Sequence, residues 1–328
     1  MSGSFSYAET KKEAVRCALC GSDDTVVLSQ KARDGAAVAT RMCRACALIY
    51  ISPRMTKGEY DTYYKYFYRE DRGQEKHREE HPLTKNFDEA RKFGRALAQM
   101  AESFLQPGLL LDIGSSTGGV LAGFKEVRND LTILGVEPST AESAFAQEHA
   151  VPTVNALFED FVKQPLSEKP ATIICVQSLN HLLEPGAFIE WAWGTLQADG
   201  CLILAVKNFR QQVRRAGRIG AAVQIDHPYM FTPETLRALV ESRGFEIVYF
   251  DVDEHKKSQY IAENKRRGLS TQHVRLVARK QEKNGHTKAA SRARYVSHRI
   301  QFFSVYIRLY HLLVYSRHLA TLRRRLGF

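Results

Sequence analysis

No stretch of this 328-residue chain approaches the ~18 uncharged apolar residues that a membrane-crossing helix needs. The opening residues, MSGSFSYAETKKEA, also lack the apolar centre of an export signal. These two absences point to a cytoplasmic protein whose six cysteines stay reduced. A third absence is positive charge in the body: residues 1–254 hold 29 Lys and Arg against 34 Asp and Glu. From residue 255 onward there are 18 Lys and Arg against only Glu263 and Glu282. A uniformly basic nucleic-acid binder would not be divided in this way. An acidic body with a basic tail is expected to meet an anionic surface through the tail, whether lipid, RNA or an acidic partner. With 44% hydrophobic residues the chain has ample material for one large core.

What is present centres on Leu109 to Gly119, LLLDIGSSTGG. The apolar run reads as a buried strand, and the small residues after it as a tight turn opening a helix. Such turns let backbone approach a nucleotide-like ligand closely. A dinucleotide fingerprint would want glycine at 114, 116 and 119, and position 116 is Ser. Asp112 would also lie beside a pyrophosphate, at an electrostatic cost. A cofactor with an ammonium and a sulfonium suits that carboxylate better. Leu111 to Gly118 resembles the first motif of class I S-adenosylmethionine-dependent methyltransferases, an acidic residue followed by G-x-G-x-G with Ser116 in place of the second glycine. That resemblance assigns Asp112, Gly114, Ser115, Ser116 and Gly118 to the cofactor.

Cys17-x-x-Cys20 and Cys43-x-x-Cys46 are separated by 22 residues, a spacing at which two thiolate pairs close a tetrahedron around a structural zinc ion. Val26–Leu28 and Leu48–Ile51 would be strands of the ribbon around it. Ser52-Pro53-Arg54 then leads into residues 60–68, YDTYYKYFY, six of which are aromatic. The order C-x-x-C, C-x-x-C, S-P-R and paired tyrosines resembles methyltransferases of sugar-modifying type that carry a zinc ribbon. The aromatic run is either a substrate wall or an amphipathic helix packed on the main domain. The charged residues 69–81 read as a solvated linker, and 86–104 as a helix by its apolar period.

Beyond the first motif, helix and strand alternate. Residues 131–137 form a second strand ending in Glu137, placed to accept the two ribose hydroxyls, and Ser139 caps the next helix. Residues 151–157 read as a third strand; in related methyltransferases an acidic residue of the following loop holds the adenine amino group, which points to Asp160. Residues 171–177 are continuously apolar up to Gln177, as a central parallel strand should be, and Gln177 counts among the cofactor residues. The strand leads to Ser178-Leu179-Asn180-His181, which resembles the family's L-E-H-x-x-x-P element with Asn180 where Glu is usual. At the carboxyl edge of such a sheet, His181 is either a general base or a structural histidine. After a fifth strand at 201–206, Arg210, Arg214, Arg215 and Arg218 could meet a phosphate or be a solvated helix face. Asp226 to Glu234 resembles the family's H-L-Y-x-F-T-P-E element, putting His227 and Tyr229 within reach of the acceptor. Strands at 245–252 and 274–278 complete the sheet.

The expected fold is α/β, a doubly wound Rossmann-like seven-stranded sheet, whose last strand the resemblance makes antiparallel. A zinc ribbon occupies 1–54, a helical cap and linker 55–106, the S-adenosylmethionine-binding domain 107–280, and a basic linker with a long helix 281–328. The expected activity is methyl transfer to a small acceptor, a sugar, nucleotide-sugar or glycan-linked intermediate of polysaccharide biosynthesis. An RNA methyltransferase and a non-catalytic scaffold are the rival readings. The basic helix at 295–326 fits a homodimer contact or peripheral binding at the inner face of a membrane.

Overall fold

The computed structural model describes residues 5–68, 83–254, 256–269 and 272–280. The expected linker at 69–81 and the expected helix at 295–326 lie outside the described residues.

The amino-terminal part contains β1 (Lys12–Glu13), β2 (Thr25–Lys31), β3 (Ala37–Cys43), β4 (Ile49–Ile51) and β5 (Arg54–Met55). Next come α1 (Lys57–Thr62), a π-helical turn over Tyr63–Phe67, and α2 (Leu83–Ala101). The α/β body then runs β6 (Gly108–Ile113), α3 (Gly119–Val127), β7 (Leu131–Val136), α4 (Thr140–Glu148), β8 (Thr153–Val154) and α5 (Phe158–Phe161). It continues with β9 (Thr172–Val176), α6 (Pro185–Thr195), β10 (Cys201–Lys207), α7 (Phe209–Ala216), β11 (Tyr229–Met230) and α8 (Pro233–Glu241). It ends with β12 (Phe245–Val252), α9 (Ser258–Arg267) and β13 (His273–Lys280).

Seven strands form one sheet in the order β12-β13-β10-β9-β6-β7-β8. β6, β7, β8, β9 and β10 pair in parallel, while β13 is antiparallel to both β10 and β12, as expected for the last strand. The chain moves outward from β6 to β8 and returns to β9 on the other side. The order therefore reverses between β6 and β9, where ligands of open α/β sheets bind. The central strands are buried along nearly their whole length, which is why they read as unbroken apolar runs.

The structure differs from the sequence reading in three places. The third strand is only two residues long, because the Asn155 side chain leaves the ladder and donates to the carbonyls of Glu137 and Pro138. The helix after the first motif starts at Gly119, inside the run of small residues read as the turn, and a Cβ there would strike the Phe87 carbonyl of α2. The third is a pairing across the chain: β11 joins the ribbon, giving a four-stranded sheet of order β11-β4-β3-β2. A single apolar cluster accordingly contains Cys17, Cys43, Cys46 and Tyr50 together with Leu111, Ile173 and Leu204 of the large sheet.

Candidate active site

The first motif folds as a loop with alternating left-handed residues. Gly114, Ser116 and Gly118 have φ of +78°, +49° and +78°. Gly114 and Ser115 donate their N–H groups to the Val136 carbonyl, at 2.8 and 3.0 Å. A Cβ at Gly114 would collide with the Ser178 hydroxyl, which donates to the Gly114 carbonyl at 3.0 Å. Ser116 thus keeps the backbone path that a glycine would take. Its N–H donates to Glu137 Oε2 at 2.8 Å, and Ser139 N–H donates to Oε1 at 2.8 Å. Each Glu137 oxygen retains a second lone pair for a ribose hydroxyl.

Buried polar atoms gather along this loop. Asp112 Oδ1, Ser115 Oγ and Thr117 Oγ1 have no hydrogen-bond partner among the described residues. Burial raises the Asp112 carboxyl to about 8. Burial, reinforced by the nearby Glu142 charge, raises Glu137 to about 8 as well. Unsatisfied buried donors and acceptors are costly, so this cradle fits a ligand that brings a cation and hydroxyl groups. Those are the groups of S-adenosylmethionine. Gln177 also has a positive φ, +56°, and its N–H donates to Ala205 O at the end of β9.

Asp160 is half-exposed and held below the usual carboxylate range by Lys163 at 2.7 Å and Lys57 at 3.5 Å.

Across the switch point, the loop after β9 meets the segment before β11. His181 Nδ1 and His227 Nε2 each lie 3.9 Å from Asp226 Oδ2. The two imidazole rings stand perpendicular, 4.5 Å between centroids. Tyr64 from the π-helical turn bonds His181 Nδ1 at 2.9 Å and donates to Asp226 O at 3.1 Å. Tyr68 adds its ring edge-on to His181. His181 is the open member, with 18% of its side chain exposed against 4% for Asp226 and for His227. The ligand atoms of His181, Asp226 and His227 all lie within 4.8 Å of one another, a clustering suited to proton transfer and compact enough for a cation.

Tyr229, expected within reach of the acceptor, is packed into the ribbon side. β11 pairs with β4, so Tyr229 is buried against Tyr50, ring centroids 6.1 Å apart, and its hydroxyl accepts from Arg54 Nη1 at 3.3 Å. Arg210 is likewise committed, to Glu254 at 2.7 Å and Glu234 at 3.0 Å. Sequence reasoning did not single out Asp226 or Tyr64 as members of the site.

In the ribbon, Cys17 Sγ lies 3.3 Å from Cys46 Sγ and Cys20 Sγ 3.5 Å from Cys43 Sγ. All four sulfurs fall within 4.8 Å of one another. Both C-x-x-C pairs use one turn, with Gly21 N–H donating to Cys17 O and Ala47 N–H to Cys43 O, and with a left-handed residue after the second cysteine of each. Sulfurs about 3.8 Å apart would surround zinc at Zn–S ~2.3 Å, so the cluster is of a size to hold a metal ion.

Several solved structures resemble the chain. The plantazolicin methyltransferase BpumL in complex with SAH has a TM-score of 0.49 at 11% identity, covering 68% of this chain and 94% of that one. Magnesium protoporphyrin IX methyltransferase from Synechocystis PCC 6803 with bound SAH has a TM-score of 0.47 at 17% identity, covering 69% and 100%. A S-adenosylmethionine-dependent methyltransferase from Clostridium acetobutylicum ATCC 824 has a TM-score of 0.45 at 10% identity, covering 58% and 92%. No curated protein matches the sequence. The family model of the methyltransferase domain matches residues 85–249, half of the chain. The chain belongs to that family and is a S-adenosylmethionine-dependent methyltransferase.

Proposed function

We propose that this methyltransferase acts on a small hydroxylated acceptor, a sugar or a sugar-bearing intermediate, with His181 as general base. The observation that carries this reading is the cluster Tyr64–His181–Asp226–His227, in which Asp226 and His227 are buried, His181 is partly exposed and aromatic rings flank it. S-adenosylmethionine, when bound, supplies an electrophilic methyl group.

The chain's residues supply position and proton removal. Asp112 and the loop polar atoms hold the methionine end, and Glu137 holds the ribose. His181 takes the acceptor proton as the acceptor gains the methyl, a net gain of 14 daltons. Asp226 lies between the two imidazoles, and Tyr64, bonded to His181 Nδ1, fixes the ring. Tyrosine faces suit the apolar face of a sugar ring, and hydroxyl-bearing neighbours suit its edge. Methylation at oxygen, carbon or nitrogen would all use this arrangement.

The four cysteines are proposed to hold one structural zinc ion, with all four coordination positions filled by thiolate. Four thiols this close could not all ionise without a cation among them.

Mass spectrometry of metabolites and glycans from cells with and without the protein tests the acceptor. A sugar-containing species heavier by 14 daltons, lost in a His181→Ala variant, is the expected result. Methylated RNA in its place would move the acceptor to RNA.

A further inference from the structure

One buried guanidinium touches both histidine-bearing segments. Arg54, 3% exposed, donates from Nη1 to Leu183 O at 2.6 Å and to the Tyr229 hydroxyl at 3.3 Å. Its Nη2 donates to Glu184 Oε1 at 3.1 Å, and its Nε to Glu13 Oε1 at 3.0 Å. Leu183 and Glu184 follow His181 by two and three residues, and Tyr229 follows His227 by two. The fork therefore bridges the loop after β9 to the strand after Asp226-His227. The same bridge is closed directly where Tyr229 N–H donates to Asn180 O at 3.4 Å.

Arg54 is itself placed by the ribbon. It lies three residues past β4, the strand that leaves the second cysteine pair and carries β11 on its edge. Ile51 N–H donates to Pro228 O at 2.9 Å, adjacent to His227. The first cysteine pair is fastened from the other side. Arg243, after α8, donates to Ala18 O at 3.1 Å and Leu19 O at 3.3 Å, both inside the first C-x-x-C turn. The loop of Gly114 to Gly118 and Glu137 bonds to β7, β8 and the Ser178 hydroxyl, with no bond to the ribbon among the described residues.

From this division we infer that the ribbon builds the acceptor half of the active site: Arg54 is a positioning residue that sets His181 against His227, and metal on the four cysteines keeps Arg54 in place. The inference rests on the assignment of His181 and His227 to the acceptor site. It predicts that occupancy of the cysteine cluster controls the acceptor side without controlling cofactor affinity.

Hydrogen–deuterium exchange and calorimetry with S-adenosylhomocysteine test it on the full chain. Four states are compared: zinc-loaded protein, protein stripped by a chelator, the stripped protein reloaded with zinc, and an Arg54→Lys variant that keeps the charge but loses the fork. Stripping and Arg54→Lys are expected to speed exchange in peptides covering 49–51 and 226–231 at least tenfold. Peptides covering 111–118 and 134–139, and the affinity for S-adenosylhomocysteine, should stay within twofold, and reloading should restore the first set. Equal acceleration of both sets, or no change at 226–231, overturns the inference. Failure of the untreated protein to bind S-adenosylhomocysteine would instead overturn the cofactor assignment, and the exchange contrast would still decide the role of the ribbon.

Discussion

Asp112 and Glu137 are carboxylates whose burial raises both to about 8, well above their values in an unfolded chain. A raised carboxyl contributes stability below its unfolded value of about 4 and loses it as pH rises through about 8. The ligand-free protein should therefore melt at lower temperature at pH 9 than at pH 6, as far as these two groups decide. Cofactor binding runs the other way, because an ammonium at Asp112 and hydroxyls at Glu137 favour the ionised carboxylates. Calorimetry in two buffers of different ionisation heat should show proton release on binding S-adenosylhomocysteine at pH 7, and tighter binding at pH 8 than at pH 6. Glu137→Ala should weaken that binding by about 1.5–3 kcal/mol, roughly 10- to 150-fold, the range for hydrogen bonds to a charged group; an unchanged affinity would remove Glu137 from the site. For the base, His181→Ala should lower turnover by about 10²–10⁴-fold with cofactor affinity kept, the scale of general-base catalysis. These residues could be picked out because Asp112 and Glu137 lie at the carboxyl ends of apolar strand runs beside the glycine loop, and His181 follows another such run. Asp226, Tyr64 and Arg54 could not be. Their importance comes from chain segments more than a hundred residues apart, and no local spacing carries that information.

At the scale of elements, strand–helix alternation identified the large sheet because buried parallel strands leave an apolar run and amphipathic helices a 3.6-residue period. β11 left no such trace: two residues cannot establish a period, and its partner strand β4 lies in the ribbon. A closer constraint sits between α2 and α3, which touch backbone to backbone. Cβ atoms at Gly94 and Gly123 would meet the Val120 and Arg91 carbonyls respectively. The close approach seats α3 under the cofactor loop, since Gly119 at its start faces α2 in the same way. Gly123→Val should therefore force the helices apart and cost about 1–3 kcal/mol, as overpacking does. Thermal unfolding should show a fall of several degrees, and a variant as stable as the parent would contradict the packing.

For the molecule as a whole, the decisive fact is that the ribbon and the sheet share one apolar cluster. Three of the four cysteines are buried in it, alongside Phe188 and Leu236 of the helices and Leu204 of β10. A ribbon tethered only by its chain would melt on its own. One whose sulfurs and strand β4 lie in the common core should be lost on heating together with the sheet it packs against, even where metal removal loosens only the acceptor-side segments locally. Cobalt in place of zinc would give the cysteine cluster a thiolate absorption that reports the ribbon. Fluorescence of Trp191 and Trp193, on α6, reports the α/β body. The two signals should fall at one temperature in the metal-loaded protein. S-adenosylhomocysteine, at a concentration 100 times its Kd, should raise both together by an amount equivalent to about 2.7 kcal/mol. Ligand bound at the sheet would then protect a metal site it does not touch, because both are lost in the same event. Separate transitions, with cobalt absorption lost first and unaffected by the ligand, would show that the ribbon is an independent module despite the shared core.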